Sequence, residues 1–326
     1  MTLISIVLVL LLEQLHALPA ARVVRAPFIA LSEKVKRRFN NGEFQQGVLA
    51  WLILAAMPSL ALLSLTVWLV WYFPLRGFLL GLCILYLTIG IRHFSSQFTA
   101  TQHALQFGEI ERARSLLAAW RGRAGDRLTP TEVAGHAIAR GLTDAHQHLF
   151  APIFWFAVIG PAGALLYRLA QLLDEQWGIP WQARRDVGIA RSDNPDAGRF
   201  GEFSHRAFVI IDSIPARVTA GLFAIAGDFE DAAQCWRTQL GQSPEDYTEI
   251  VLAGGAGALG VRLEVSTWKS HTTIAEAGVA EYGIGDDADS NLMQRAAAMV
   301  WRALLLSLTF LAVILLATWQ SIFNFF

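Results

Sequence analysis

Apolar and polar positions alternate in long blocks along this chain. Apolar runs cover residues 2–12, 47–73, 78–91, 150–173, 207–230 and 296–319, and polar, charge-bearing stretches separate them. A helix needs about 20 apolar residues to cross a hydrocarbon layer of about 30 Å. The runs at 47–73 and 296–319 therefore predict full spans, each with tryptophans near its ends (Trp51, Trp68 and Trp71; Trp301 and Trp319) where interfacial aromatics belong. The run at 78–91 returns after a short turn at 74–77. Gly160-Pro161-Ala162-Gly163 interrupts the run at 150–173, which predicts a kinked span or a re-entrant pair of half-helices. Broken backbone is tolerated at membrane depth where protein buries it.

The run at 207–230 is the one that carries charge. Pro215 suits the first turn of a helix, with Asp212 or Ser213 as its cap, and Gly227 suits the stop. On such a helix Arg217, Gly221, Ala224 and Asp228 follow i, i+4, i+7 and i+11 and share one face. Ionisable groups in an apolar segment are costly in lipid and belong in a protein interior or a wet cavity, so this face is a functional candidate. An Arg217–Asp228 pair, or two interfacial anchors, accounts for the same residues.

Composition agrees with the pattern. Hydrophobic residues make up 54% of the 326 and charged ones only 16%, with 11 Trp and a mean hydropathy of +0.41, which excludes an ordinary soluble domain. The net charge of −1 gives no support to nucleic-acid binding. Cys83 and Cys235 are too few and too far apart in sequence for a disulfide framework or a thiolate metal site.

Local charge sets the orientation. No basic residue precedes the first apolar run, as a cleaved signal would require, so 2–12 is expected to be an uncleaved helix with a translocated N-terminus. Arg22, Arg25, Lys34, Lys36, Arg37 and Arg38 follow it. A second arginine group, Arg112, Arg114, Arg121, Arg123 and Arg127, marks residues 92–149 as a cytoplasmic helical loop under the positive-inside rule. The basic stretch 175–203 would be external if 150–173 crossed once; the re-entrant reading removes that conflict. Residues 228–295 are acidic, with 12 Asp and Glu against four Arg and Lys.

Within these blocks several motifs are legible. Thr129-Pro130-Thr131-Glu132 is a capping box with a proline start, which explains Glu132 without catalysis. The helix after it stacks His136, Arg140, Asp144 and His148 at i+4 steps; with no zincin-type signature, a polar face against a neighbour is expected rather than a metal site. Ser243-Pro244-Glu245-Asp246 reads as another helix start. Gly255-Ala-Gly257-Ala-Leu-Gly260 has dinucleotide-fingerprint spacing but no βαβ surroundings, so small-residue helix packing is the better account. Residues 278–291, rich in Gly, Asp and Ser, are expected to be a mobile loop. A transporter would show paired broken helices in two repeats, and an intramembrane hydrolase would show Ser–His, His-Glu-x-x-His or paired Asp in its spans; neither pattern is visible.

The opening Met1-Thr-Leu-Ile…Leu12-Glu-Gln-Leu15, then Ala151-Pro-Ile-Phe-Trp155…Gly160-Pro-Ala-Gly163…Tyr167-Arg168…Leu173-Asp174, Asp212-Ser-Ile-Pro-Ala-Arg217 and Ala256-Gly-Ala-Leu-Gly-Val-Arg262 together resemble the AmpE and CbiB/CobD superfamily over most of the chain. One branch is named for a membrane protein of β-lactamase regulation. The other is named for the synthase that joins aminopropanol phosphate to adenosylcobyric acid. Where the synthase pattern places acidic and Asn residues before Ala-Pro-Leu-Phe-Trp, this chain reads Ala139-Arg-Gly-Leu-Thr-Asp-Ala-His-Gln-His148, keeping Asp144 but losing its acidic neighbour. Its Gly-Arg-Asp-Thr element is reduced to Gly125-Asp126-Arg127. The resemblance thus points to the AmpE-like branch: an accessory or sensor protein linked to β-lactamase induction, with the synthase as the alternative.

The expectation is an all-α, polytopic helical membrane protein, multi-pass in the bacterial inner membrane, with a re-entrant or kinked segment and amphipathic cytoplasmic helices, forming one domain over 1–326. His103, Asp126, Asp144, Asp174, Asp212, Arg217 and Asp228 are expected to converge on one polar ligand pocket at the cytoplasmic interface. Mg2+ and a nucleotide or corrinoid are implied only by the synthase reading. Expected partners are the lipid bilayer and an unidentified small molecule; a second copy of the chain is allowed. The orientation is testable: a cysteine introduced at Lys36 or Arg121 should resist an impermeant thiol reagent in intact spheroplasts, and its modification would reverse the assigned topology.

Overall fold

A computed structural model describes residues 2–15, 25–121, 128–179, 199–239, 247–266 and 279–323. Its contacts group into two compact units, the first from Met1–Gly90 and Ala151–Pro215, the second from Ile91–Phe150, Ala216–Ser266 and Val279–Phe326.

In the first unit the helices are α1 (Thr2–Leu15), α2 (Ala26–Phe39), α3 (Phe44–Trp51), α4 (Met57–Tyr72) and α5 (Pro74–Thr88), followed later in the chain by α9 (Ala151–Ile159) and α10 (Pro161–Leu173). A wide π turn, Leu52–Ala56, joins α3 to α4 just before Pro58, so Phe44–Tyr72 runs as one helix of 29 residues, long and apolar enough to cross a membrane. At its far end Trp68, Trp71 and Tyr72 are exposed, as interfacial aromatics should be. Trp51, Leu54, Tyr167, Leu173, Trp177, Phe200 and Phe208 form the buried core, with the Trp177 and Phe200 rings 5.0 Å apart. Gly47 lets α3 lie against backbone, since a methyl there would overlap the Phe200 carbonyl.

The interrupted run at 150–173 resolves into two half-helices. Gly160 takes φ +78°, a conformation glycine adopts at little cost, and Pro161 starts α10. A Cβ at Gly163 would overlap the carbonyl of Trp155, eight residues earlier. In a continuing helix those two positions would lie about 12 Å apart, so the chain folds back here rather than kinking. Alone, neither half could span about 30 Å.

Helix α11 (Glu202–Ala226) corrects the expected start at Pro215, because Pro215 sits inside it. Pro215 leaves the Ile211 carbonyl without its helical donor, and within the same turn the Ser213 hydroxyl donates to the Ile210 carbonyl at 2.7 Å. Residues up to Pro215 group with the first unit and those from Ala216 with the second. The stop before Gly227 is as expected.

The second unit is built around α8 (Pro130–Ala145). Thr129 and Glu132 close the capping box: the Thr129 N–H donates to the Glu132 carboxylate at 2.6 Å and the Glu132 N–H to the Thr129 hydroxyl at 3.3 Å. The Thr129 backbone N–H and then its hydroxyl hold the Glu132 carboxyl below its ordinary pKa. Beyond this start α8 is buried on all sides, and its Ala134, Gly135, Ala137, Ala139, Gly141 and Ala145 make that possible. Around it pack α6 (Ile91–Gln106), α7 (Ile110–Arg121), α13 (Tyr247–Leu259) and α14 (Ser290–Phe323), while α12 (Phe229–Gln239) packs on α13. Helix α13 bears two of the fingerprint-spaced glycines, and both serve helix contact, Gly255 on Leu142 and Phe223 and Gly257 on the backbone of Ala232; the neighbouring Gly254 lies on Ala220, while Gly260 follows the helix at φ +63°, where a Cβ would meet nothing within 4 Å.

The all-α expectation needs one amendment. A three-stranded sheet orders β1 (Val261–Ser266) between β2 (Val279–Tyr282), antiparallel with Leu263 opposite Tyr282, and β3 (Asp286–Asp287), parallel with Val261 opposite Asp286. The stretch expected to be a mobile loop thus supplies two strands, turned by Gly283 and Gly285 at positive φ. Ser243-Pro244-Glu245-Asp246 lies outside the described residues. Among the described residues, Phe44–Tyr72, Glu202–Ala226 and Ser290–Thr318 are long and apolar enough to cross a membrane.

Two alanine substitutions separate contact from propensity. Gly163→Ala should lower the melting temperature in detergent by the equivalent of about 1–3 kcal/mol, because the half-helices must part. Gly221→Ala, where a Cβ meets nothing within 4 Å, should be neutral or stabilise by about 0.5–1 kcal/mol. Equal effects would remove the hairpin account.

Candidate functional site

Each unit encloses a set of buried polar side chains. In the first, α10 and the π turn after it, Asp174–Gly178, face α11. The Tyr167 hydroxyl donates to Asp212 at 2.8 Å, and the Nδ1–H of His205 donates to Asp174 at 3.0 Å. Asp174 is 4% exposed, Asp212 2% and His205 9%. Buried carboxylates without donors would be strongly destabilising, so these pairings follow from burial itself. Gly178 makes the second one possible, because a Cβ there would overlap the Asp174 carboxylate. Around the pair the charges are balanced in turn: Glu175 meets Arg25 at 2.9 Å, and buried Glu202 is held by Arg199 and Arg206, each at 2.6 Å.

In the second unit Asp144 lies on α8 at 2% exposure. The Arg140 guanidinium, one turn earlier, lies 2.9 Å from one of its oxygens, and the Trp120 indole N–H donates to the other at 3.0 Å. Phe98 stands edge-on to Trp120. Directly after α8 a second π turn, His146–Phe150, buries His146 against Thr219, Nδ1 to Oγ1 at 2.9 Å. π turns are uncommon and recur at functional sites, and these two each carry a buried titratable group.

The structure distributes the seven sequence candidates unevenly. Asp144, Asp174 and Asp212 are buried and paired. Asp228 is exposed and caps α12, accepting the N–H groups of Glu230 at 3.0 Å and Asp231 at 3.1 Å. Arg217 is exposed on α11, and His103 is exposed with its ring stacked beside Phe107. Asp126 lies outside the described residues. Sequence reading missed Tyr167, His205 and Trp120 as the partners of these carboxylates; all come from other helices, so no helical spacing connects them. Among the described residues no group of three or more His, Cys, Asp or Glu side chains gathers as a metal cage.

What the fold and these residues define is a predominantly helical protein of membrane character that buries paired carboxylates between its helices. Comparison with known proteins gives the family. The CobD/Cbib protein family matches residues 3–300, and the chain belongs to it. It is 32% identical over 264 residues to cobalamin biosynthesis protein CobD of Stutzerimonas stutzeri, covering 80% of this chain and 81% of the relative. To cobalamin biosynthesis protein CobD of Chromobacterium violaceum it is 32% identical over 204 residues, 63% of this chain and 61% of that one. A probable cobalamin biosynthesis protein CobD of Methanothermobacter thermautotrophicus is 29% identical over 161 residues, 48% and 50% of the two chains. No solved structure matches.

These matches overturn the AmpE-like reading and its link to β-lactamase induction. That reading rested on the polar residues that differ from the synthase pattern around Asp144 and at Gly125-Asp126-Arg127, and the family match stands against it. In the structure Arg140 is the counter-charge of Asp144.

Removing one partner of that pair should cost more than removing both. Asp144→Leu strands a guanidinium that is about a quarter exposed, and should cost about 2–4 kcal/mol; Arg140→Met with Asp144→Leu should recover more than half of it. Thermal unfolding in detergent measures both. Additive losses would show that the two charges do not interact.

Proposed function

We propose that this chain acts in cobalamin biosynthesis as the amide synthase that joins aminopropanol phosphate to adenosylcobyric acid, as a multi-pass protein of the bacterial inner membrane. The match of the CobD/Cbib family over residues 3–300 carries this reading. Support also comes from the similarity, over 80% of this chain, to the CobD protein of Stutzerimonas stutzeri, named for cobalamin biosynthesis. In this reading the α9–α10 hairpin re-enters from the cytoplasmic side, which keeps both arginine-rich loops cytoplasmic.

Amide formation asks for three things: an activated carboxyl, a neutral amine, and the two held within bonding distance while water is excluded. At neutral pH an alkylamine carries a proton that must leave before its lone pair can attack. His205, its Nδ1–H fixed on Asp174, is the described side chain best matched to take that proton at Nε2. Asp144 and Asp212, engaged by donors, act as fixed charges that hold helix position, and not as bases.

Complementation tests the proposal. The chain should restore cobamide-dependent growth to a strain lacking its cobamide synthase. His205→Asn, with protein present at normal level in the membrane, should slow that growth at least about tenfold. No growth with the unaltered chain, correctly inserted, would contradict the assignment.

A further inference from the structure

Helix α2 has two unlike faces. Phe28, Val35 and Phe39, at i, i+7 and i+11, pack against the core of the first unit, and Ser32 is buried with them. Lys34, Arg37 and Arg38, at i, i+3 and i+4, lie on the opposite side and are exposed. Arg37 meets Glu33 at 3.9 Å with its own side chain 85% exposed, and neither Lys34 nor Arg38 meets a carboxylate among the described residues. Leu31, 48% exposed, stands on the cationic side, three residues before Lys34 and seven before Arg38. We infer that this face binds the anionic phospholipid headgroups of the bilayer, an inference that rests on Phe44–Tyr72 crossing the membrane and not on the synthase chemistry.

Chain geometry sets the depth. Phe44–Tyr72 has 29 residues, about 43 Å at 1.5 Å per residue, against a hydrocarbon layer of about 30 Å. With Trp68, Trp71 and Tyr72 exposed at one interface, the Phe44 end extends into the headgroup layer of the other. Only residues 40–43 separate that end from α2, a link that reaches at most about 18 Å. The basic last turn is thereby held beside the headgroups. Leu31 argues for lipid over a soluble anion. An apolar side chain among cations suits the boundary where acyl carbon meets phosphate, whereas a soluble anion would leave it in water. An anionic leaflet concentrates such a segment roughly fivefold for each Lys or Arg.

Fluorescence of the full-length protein in nanodiscs tests this. Exposed Cys83 is replaced in Cys83→Ser, Cys235 being buried, and a fluorophore is attached through Leu31→Cys, with a headgroup nitroxide lipid as quencher. Quenching should be at least about twofold greater with about a third phosphatidylglycerol than with phosphatidylcholine alone, and the difference should shrink at about 1 M salt, where the screening length is about 3 Å. Lys34→Gln, Arg37→Gln and Arg38→Gln together should return it to the phosphatidylcholine value. A probe at Tyr72→Cys should be quenched alike throughout; no quenching there would remove the membrane reading itself. Equal quenching at position 31 in the two lipids, or a phosphatidylglycerol effect that survives the triple change, would overturn the proposal. So would reversal by millimolar inorganic phosphate, which would make the face a soluble-anion site.

Discussion

Burial of ionised groups in an apolar helical protein is the constraint on which the rest depends. An isolated carboxylate taken out of water costs several kcal/mol even after relaxation, more than most single contacts return. Asp144, Asp174 and Asp212 therefore dictate their surroundings. Each demands a donor or a counter-charge, supplied by Trp120 and the Arg140 guanidinium, by His205, and by Tyr167. Such pairs contribute little net stability. Their effect is on specificity, since a helix that slides or rotates strands a charge.

Small residues supply the other half of the arrangement. The Gly47 contact with backbone, the Gly163 contact inside the hairpin and the Gly178 space beside Asp174 each exist because no Cβ intervenes. Close approach of this kind is how helices pack when apolar burial alone does not favour one neighbour over another. In the second unit the alanines and glycines of α8 do the same, so that a helix can be surrounded on every side and still carry Asp144.

Local features were legible in the sequence. The Thr129–Glu132 box, the stop before Gly227, the break at Gly160 and the packing use of Gly254 to Gly257 all depend on residues within a few positions of one another. The Arg140 and Asp144 spacing also placed both on one face. Tertiary partners were not legible: Tyr167 and Asp212 stand 45 residues apart and Trp120 and Asp144 24 apart, with no period linking them. Pro215 misled because proline suits a first turn, yet here it sits inside a 25-residue helix that continues past it. The strands around Gly283 and Gly285 were hidden by a composition that also describes loops. The functional branch was misjudged because positions that differ from the synthase pattern around Asp144 were read as lost chemistry, and a single sequence offers no weight to set such differences against similarity over residues 3–300.

The central claim is the proposed amide formation, with His205, fixed on Asp174, taking the proton of the amine. Purified, lipid-reconstituted protein incubated with adenosylcobyric acid, aminopropanol phosphate, Mg2+ and ATP tests it by the mass of the corrinoid product. The account predicts a product equal to the two substrates less one water. Folded protein that returns the corrinoid unchanged would contradict it.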